Sequence, residues 1–246
     1  MSLNLYYQQY LMIFLLCFMR NLSLVNFFYV TRQLAMTLKT ILALVLAAMT
    51  YFFNPVILIS WSHFWVLGLE NMLLGFIISF LLSLPFYLME MSGSLVDNYR
   101  GETVAATFSH SFIDRQSSFF NLLGISFLTY FITCNGLFLF IKIIFLSYRV
   151  LPLTQGLPSP IFGGIIAIFE HLMTWFALIT FPATALTLLV DIIFAFSAVV
   201  VPNLNTFFLG FPLKSMAIIL LYFFLIPTLF MYMMGYFKVI VGQLGF

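Results

Sequence analysis

Six long apolar runs, at roughly 9–30, 38–60, 64–90, 119–148, 161–201 and 213–241, limit what this chain can fold into more than any other feature. A membrane-spanning helix needs about 20 apolar residues, and every run reaches that length. The run 161–201 is long enough for two shorter helices, with Pro182 as the expected bend. The expected fold is all-α: a polytopic hydrophobic helical protein of six to eight helices, many kinked or broken, in one domain over residues 1–246. Composition agrees, since 64% of the 246 residues are hydrophobic, 20% aromatic and only 7% charged. A soluble domain carries about a quarter charged residues, and the interior of one this size could not hold 33 phenylalanines.

Prolines punctuate the runs, several of them mid-run at positions such as Pro85, Pro182 and Pro227. The sharpest interruption is the stretch from Pro202 through Asn203, Asn205, Gly210 and Pro212 to Lys214. Each proline removes a backbone donor, and in lipid such a break survives only where protein or water covers it. The chain is therefore expected to pack against other protein as well as against lipid. Two segments are polar, at about 91–118 and 149–160, and the second is a stiff connector with Pro152, Pro158 and Pro160. Gly93 and the serines beside it weigh against continuous helix at the start of the first. Basic residues near the turns (Arg32, Lys39, Arg100, Arg115, Lys142, Arg149) would put most loops on one side of a membrane. An alternating chain cannot satisfy that, so some runs are re-entrant or lie partly outside lipid. The N-terminal residues lack the basic region of a cleaved signal, so the first run is expected to be retained.

Several function classes drop out. The nine Lys and Arg are spread along the chain and form no basic patch for nucleic acid. Cys17 and Cys134 lie inside apolar runs without metal-ligand spacing, and His63, His110 and His171 are far apart. No nucleophile elbow, paired-histidine zinc helix or phosphate-binding glycine loop is present. Charges do lie inside the runs, at Arg20, Glu70, Glu90, Glu170 and Asp191. Each costs a few kcal/mol at membrane depth unless paired, hydrogen-bonded or facing water. They mark either a proton or ion path or the salt bridges and hydrogen bonds that fix an assembly.

Five pieces of sequence, in this order, resemble the export-gate subunit family that includes flagellar FliR and the type III secretion SctT proteins. They are Glu70-Asn71-Met72-Leu73-Leu74-Gly75, the Gly93, Asp97, Gly101 spacing, Pro182 to Asp191, Pro202-Asn203-Leu204-Asn205, and Phe208-Leu209-Gly210-Phe211-Pro212-Leu213-Lys214. The resemblance covers about 65–240 well and the N-terminal run more loosely, through Arg20 and Lys39. The last block is specific, whereas the glycine spacing alone would be weak. Asn203 stands where the family commonly has glutamine. Low charge and Phe-rich composition lean toward an SctT-type injectisome subunit over a flagellar one, and the lack of a basic or soluble tail toward a gate subunit alone rather than a fusion.

The resemblance implies a structural, non-enzymatic subunit with no cofactor. It would join SctR-type and SctS-type subunits in a helical, pseudo-hexameric gate, with an SctU-type switch protein and inner-rod or needle components as further neighbours. The gate would conduct unfolded secreted proteins through the bacterial inner membrane, raised partly toward the periplasm. The family also implies a pore-plugging loop, here expected at Thr103–Ser118. It contains Thr103, Phe108, His110, Phe112, Ile113, Asp114 and Arg115. A polar, mixed-charge loop can face a wet lumen, while Phe108, Phe112 and Ile113 could form an apolar constriction. Expected assembly contacts are Glu70, Gly75, Gly93, Asp97, Gly101, Asp191, Pro202, Asn203, Asn205, Gly210, Pro212 and Lys214. The main alternative is a multi-helix secondary transporter with intramembrane carboxylates, which would carry an inverted repeat and work without partners. An intramembrane enzyme is the other.

Overall fold

Helical periodicity in α1 (Ser2–Phe27) fixes the first packing face: Met12, Leu16, Arg20 and Leu24 recur every four residues and are all buried, as is Phe28 just past the helix end. The computed structural model describes residues 2–53, 59–99, 118–154, 160–200 and 206–243. Every regular element among the described residues is helical. After α1 come a short 3-10 turn (Tyr29–Thr31), α2 (Met36–Tyr51), α3 (Trp61–Tyr99), α4 (Ser118–Thr133), α5 (Gly136–Val150), α6 (Pro160–Val200) and α7 (Thr206–Gln243). The chain divides into two compact units, one of Met1–Leu84, Asn135–Ile168 and Phe237–Phe246, the other of Pro85–Cys134 and Phe169–Tyr236.

In the first unit α2 turns Lys39, Ala43, Leu46, Ala47 and Thr50 inward, and Asn21 Nδ2 donates to Thr50 Oγ1 at 3.1 Å. The Gln9 amide replaces a missing backbone partner beyond α2. Its Nε2 donates to Ile59 O at 3.0 Å, and its Oε1 accepts from Ile59 N at 2.8 Å. The first part of α3 meets α1 along a seam of small residues at positions 68, 75, 79 and 83. A Cβ on Gly75 would lie 2.3 Å from Arg20 O, so the two backbones touch only because glycine stands there. Ser79 Oγ donates to Leu24 O at 2.8 Å, and Ser83 Oγ accepts from Tyr29 N at 2.9 Å. Phe28 stacks on Phe140 of α5, with ring centroids 4.1 Å apart.

The core of the second unit is aromatic. Phe86 meets Phe127 and Phe131 of α4, with centroids 5.0 and 5.2 Å apart, and Phe127 meets Phe230 of α7 at 5.4 Å. Such edge-on and tilted pairs add about 0.5–1.5 kcal/mol each beyond the area they bury. Tyr222 of α7 is buried and donates its hydroxyl to Ile179 O of α6 at 3.1 Å.

Three sequence expectations differ from the structure, and one apolar run proves to be two helices. The run 161–201 is one helix of 41 residues with Pro182 inside it, not two. Threonine hydroxyls flank the proline, Thr180 Oγ1 donating to Phe176 O at 2.8 Å and Thr184 Oγ1 to Phe181 O at 2.9 Å; apolar helices tolerate proline where such groups support the backbone. The run 119–148 is two helices, separated at Cys134-Asn135, where Asn135 adopts a left-handed φ of 59°. Asparagine enters that region more readily than most residues, and Gly136 follows it. Helix continues through Gly93 to Tyr99, because Ser92 donates to Leu88 O at 2.7 Å rather than competing for the turn. Finally, α7 already begins at Thr206, so Gly210, Pro212 and Lys214 are helical rather than part of the interruption.

Candidate functional site

Arg20 is the bulkiest fully buried side chain among the described residues, and no carboxylate faces it there. Its Nη1 donates to Leu151 O at 2.7 Å and its Nη2 to Ser147 O at 3.1 Å. The guanidinium carbon lies 4.4 Å from the ring centroid of Tyr148, whose hydroxyl donates to Cys17 O at 3.3 Å. Ser147 O and Leu151 O sit at the end of α5, where the helix carries partial negative charge, and Ser147 O also accepts from Leu151 N at 3.0 Å. The cation therefore neutralises a helix terminus. Asn71 extends this device: its Nδ2 donates to Leu153 O at 3.0 Å, fastening the chain just beyond α5 to α3. Sequence reasoning flagged Arg20 as a charge in need of a partner and passed over Asn71. The signal for it was its position one helical turn before Gly75, on the face that meets α1.

Of the expected assembly contacts, Gly75, Gly93 and Asp97 are occupied within the chain. Gly75 admits the α1 backbone. A Cβ on Gly93 would lie 2.5 Å from Phe119 O. Asp97, fully buried, accepts at Oδ2 from Phe119 N at 2.9 Å and Phe120 N at 3.2 Å. It thus caps α4 from α3, setting a carboxylate against the positive end of a helix. Gly93 and Asp97, one turn apart, serve one junction: the glycine lets α4 start close and the aspartate holds its first amides. Glu70 lies half-buried beside Asn71.

Asp191 of α6 and Lys214 of α7 pair with each other, Nζ to Oδ1 at 2.5 Å, with Lys214 mostly covered and Asp191 53% exposed. Gly210, a turn before Lys214, has only Phe194 Cδ2 at 3.9 Å from where a Cβ would lie, an ordinary contact. Pro212 is exposed on the same helix. Gly101, Pro202, Asn203 and Asn205 lie outside the described residues, as do Thr103, Phe108, His110, Phe112, Ile113, Asp114 and Arg115 of the expected plug.

Among the described residues, four helices, Tyr7–Phe27, Trp61–Tyr99, Ile166–Val200 and Leu209–Phe237, are long and apolar enough to cross a membrane. Their cover is uneven: 61% of the most apolar window of α3 is buried in the chain, against 11% of that of α6. Phe181, Phe196 and Val199 of α6 are among the most exposed apolar side chains.

Residues 11–240 match the family described as bacterial export proteins, family 1. The chain belongs to this family. Among curated relatives, the bacterial export chain is 26% identical over 172 residues to the surface presentation of antigens protein SpaR of Shigella flexneri, covering 69% of this chain and 66% of SpaR. It is 30% identical over 153 residues to the secretion system apparatus protein SsaT of Salmonella typhimurium, covering 61% and 59%. It is 25% identical over 149 residues to the Yop proteins translocation protein T of Yersinia pestis, covering 59% and 57%. The matched stretch spans a little under two thirds of the length of these curated relatives. Family and apolar helices together make this a membrane protein of the SpaR, SsaT and Yop translocation protein T kind.

Proposed function

We propose that this chain is a structural subunit of a type III secretion export gate, forming part of the inner-membrane conduit for unfolded secreted proteins. The observation that carries the reading is the mismatch between helix length and bilayer thickness, combined with the exposure of α6. At 1.5 Å per residue, the 39, 41 and 38 residues of α3, α6 and α7 give roughly 57–62 Å of helix. The hydrocarbon core is about 30 Å thick, so a straight helix of that length would need a tilt near 60°, beyond the usual limit of about 40°. Apolar helix outside the hydrocarbon needs a protein cover. Since α6 receives little of it from its own chain, neighbouring subunits supply it. The SctR-type and SctS-type subunits are the partners proposed for that surface, with an SctU-type protein and inner-rod or needle components at the periphery.

The ionisable residues favour this reading over a transporter. A transporter uses intramembrane carboxylates to bind and release ions; here Asp97 is committed to a helix cap and Asp191 to Lys214. Neither supplies an enzymatic group. The outward-facing Asp191, together with Glu70, Gly210 and Pro212 and the segment holding Pro202, Asn203 and Asn205, is proposed to contribute to the assembly surface. The loop Thr103–Ser118 is proposed as the plug.

Two measurements test this. Extracted at native expression, the chain is expected to co-migrate with two other small hydrophobic proteins; isolation as a functional monomer or homo-oligomer would overturn the assignment. Deleting Thr103–Ser118 is expected to raise ion leak through an assembled complex, and an unchanged leak with intact assembly removes the plug.

A further inference from the structure

A cavity of about 700 Å³ opens in the first unit between α1, α5 and the segments that follow α2 and α5. Its wall is apolar, built from Ile13, Phe53, Ile59, Phe138, Ile141 and Phe145. Two cations, Lys142 and Arg149, also line it, and among the described residues no Asp or Glu does. They stand seven residues apart on α5, on one face of the helix and about 10 Å apart along its axis. Both are exposed, and neither makes an ion pair among the described residues. We propose that this cavity binds an anionic phospholipid, with an acyl chain against the apolar wall and the headgroup phosphate between Lys142 and Arg149.

Three observations converge on that ligand. The volume falls within the roughly 300–1,000 Å³ typical of ligand pockets, and the wall is mostly hydrocarbon and aromatic surface. The charge at its edge has one sign. A basic site between apolar helices is the arrangement that recognises anionic headgroups. A helix C-terminus would normally repel an anion, yet at α5 two terminal carbonyls, Ser147 O and Leu151 O, are occupied by Arg20. The buried guanidinium leaves the local field positive, so the two outer cations are available to a ligand. A docked protein segment would need a long apolar side chain followed by paired acids; a phospholipid presents both features in one molecule and surrounds the protein in its working medium. The inference rests on this being a membrane protein and does not depend on the export-gate reading.

The test uses the full chain in detergent, titrated with phosphatidylglycerol or with phosphatidylcholine of the same acyl chains, and lipid-bound fractions read by native mass spectrometry. Phosphatidylglycerol is expected to be retained roughly tenfold better, as two basic side chains at a membrane surface allow, with the preference falling as salt rises. Lys142→Gln with Arg149→Gln should abolish the preference, and Lys142→Arg with Arg149→Lys should restore most of it. Ile141→Trp, which adds bulk to the cavity wall, should reduce retention of both lipids by several fold at unchanged helicity. Equal retention of the two lipids by the unmodified chain overturns the proposal without recourse to any variant. So does a preference that survives the double glutamine change, or retention of both lipids that the tryptophan leaves undiminished. A photoreactive residue at position 141 that crosslinks to a neighbouring protein in place of lipid assigns the cavity to that protein and overturns it equally.

Discussion

Single glycines in this chain carry different loads, and the difference is measurable. At Gly75 a methyl group would meet the Arg20 carbonyl at 2.3 Å, a backbone atom that cannot swing away. Gly75→Ala is expected to separate α1 from α3 at a cost of about 1–3 kcal/mol. Gly210 has room for the same methyl, and helix propensity favours alanine there by up to about 1 kcal/mol. Thermal unfolding in detergent should therefore fall for Gly75→Ala and hold or rise for Gly210→Ala. Equal effects would show that the α1–α3 seam yields. Arg20 belongs to the same scale. Arg20→Leu keeps apolar bulk but takes the guanidinium donor from Leu151 O, at about 1–3 kcal/mol for a buried carbonyl left unsatisfied, while Ser147 O keeps its bond from Leu151 N at 3.0 Å. Arg20→Lys should fall between, because an ammonium cannot match the fork geometry of a guanidinium. A leucine variant as stable as the parent would mean that Leu151 O finds another donor.

Among the elements, the break between α4 and α5 is the feature that the apolar pattern hid. Hydropathy runs unbroken through 119–148, and only Asn135 and Gly136 hint at a turn. The left-handed φ of 59° makes a direct prediction. Asn135→Gly should be neutral or mildly stabilising, while Asn135→Val should destabilise by about 1–2 kcal/mol, read by thermal unfolding. The reverse order would mean the turn is not left-handed in solution. The α6–α7 pair offers a second case at this scale. Because Asp191 is about half exposed, its attraction to Lys214 is screened where water reaches it, and a double-mutant cycle should give a coupling of about 1 kcal/mol or less. Coupling well above that would place the pair in a dry environment, covered by lipid or by another subunit.

For the whole molecule, the question is what covers α6. Single cysteines at Phe181, Phe196 and Val199, introduced with Cys134→Ser because that native thiol is exposed, report its environment through maleimide labelling. All three are expected to label in the isolated chain. At least one should become protected when the proposed gate neighbours are co-expressed. Protection that is the same with and without them would leave lipid as the sole cover and remove the main support for an assembly. The buried Cys17 should stay unreactive throughout.

Apolar runs and sparse charge were enough to determine that the chain is all-helical and membrane-associated, because in lipid the backbone can satisfy itself only within helices or closed barrels. Ordered short blocks, above all Gly210 through Lys214, were enough to place it in its family. Sequence could also say that Arg20, Asp97, Asp191 and Lys214 needed partners. It could not say which, since those partners are backbone carbonyls, helix amides and each other's side chains, brought near from as far as 131 residues away. The backbone contact at Gly75 was likewise decided by packing, while helix continuity through Pro182 and the break at Asn135 turned on hydroxyl support and left-handed backbone that hydropathy does not record. Local pattern records how oily a segment is, whereas the position of its ends and turns depends on which surfaces come to lie against it.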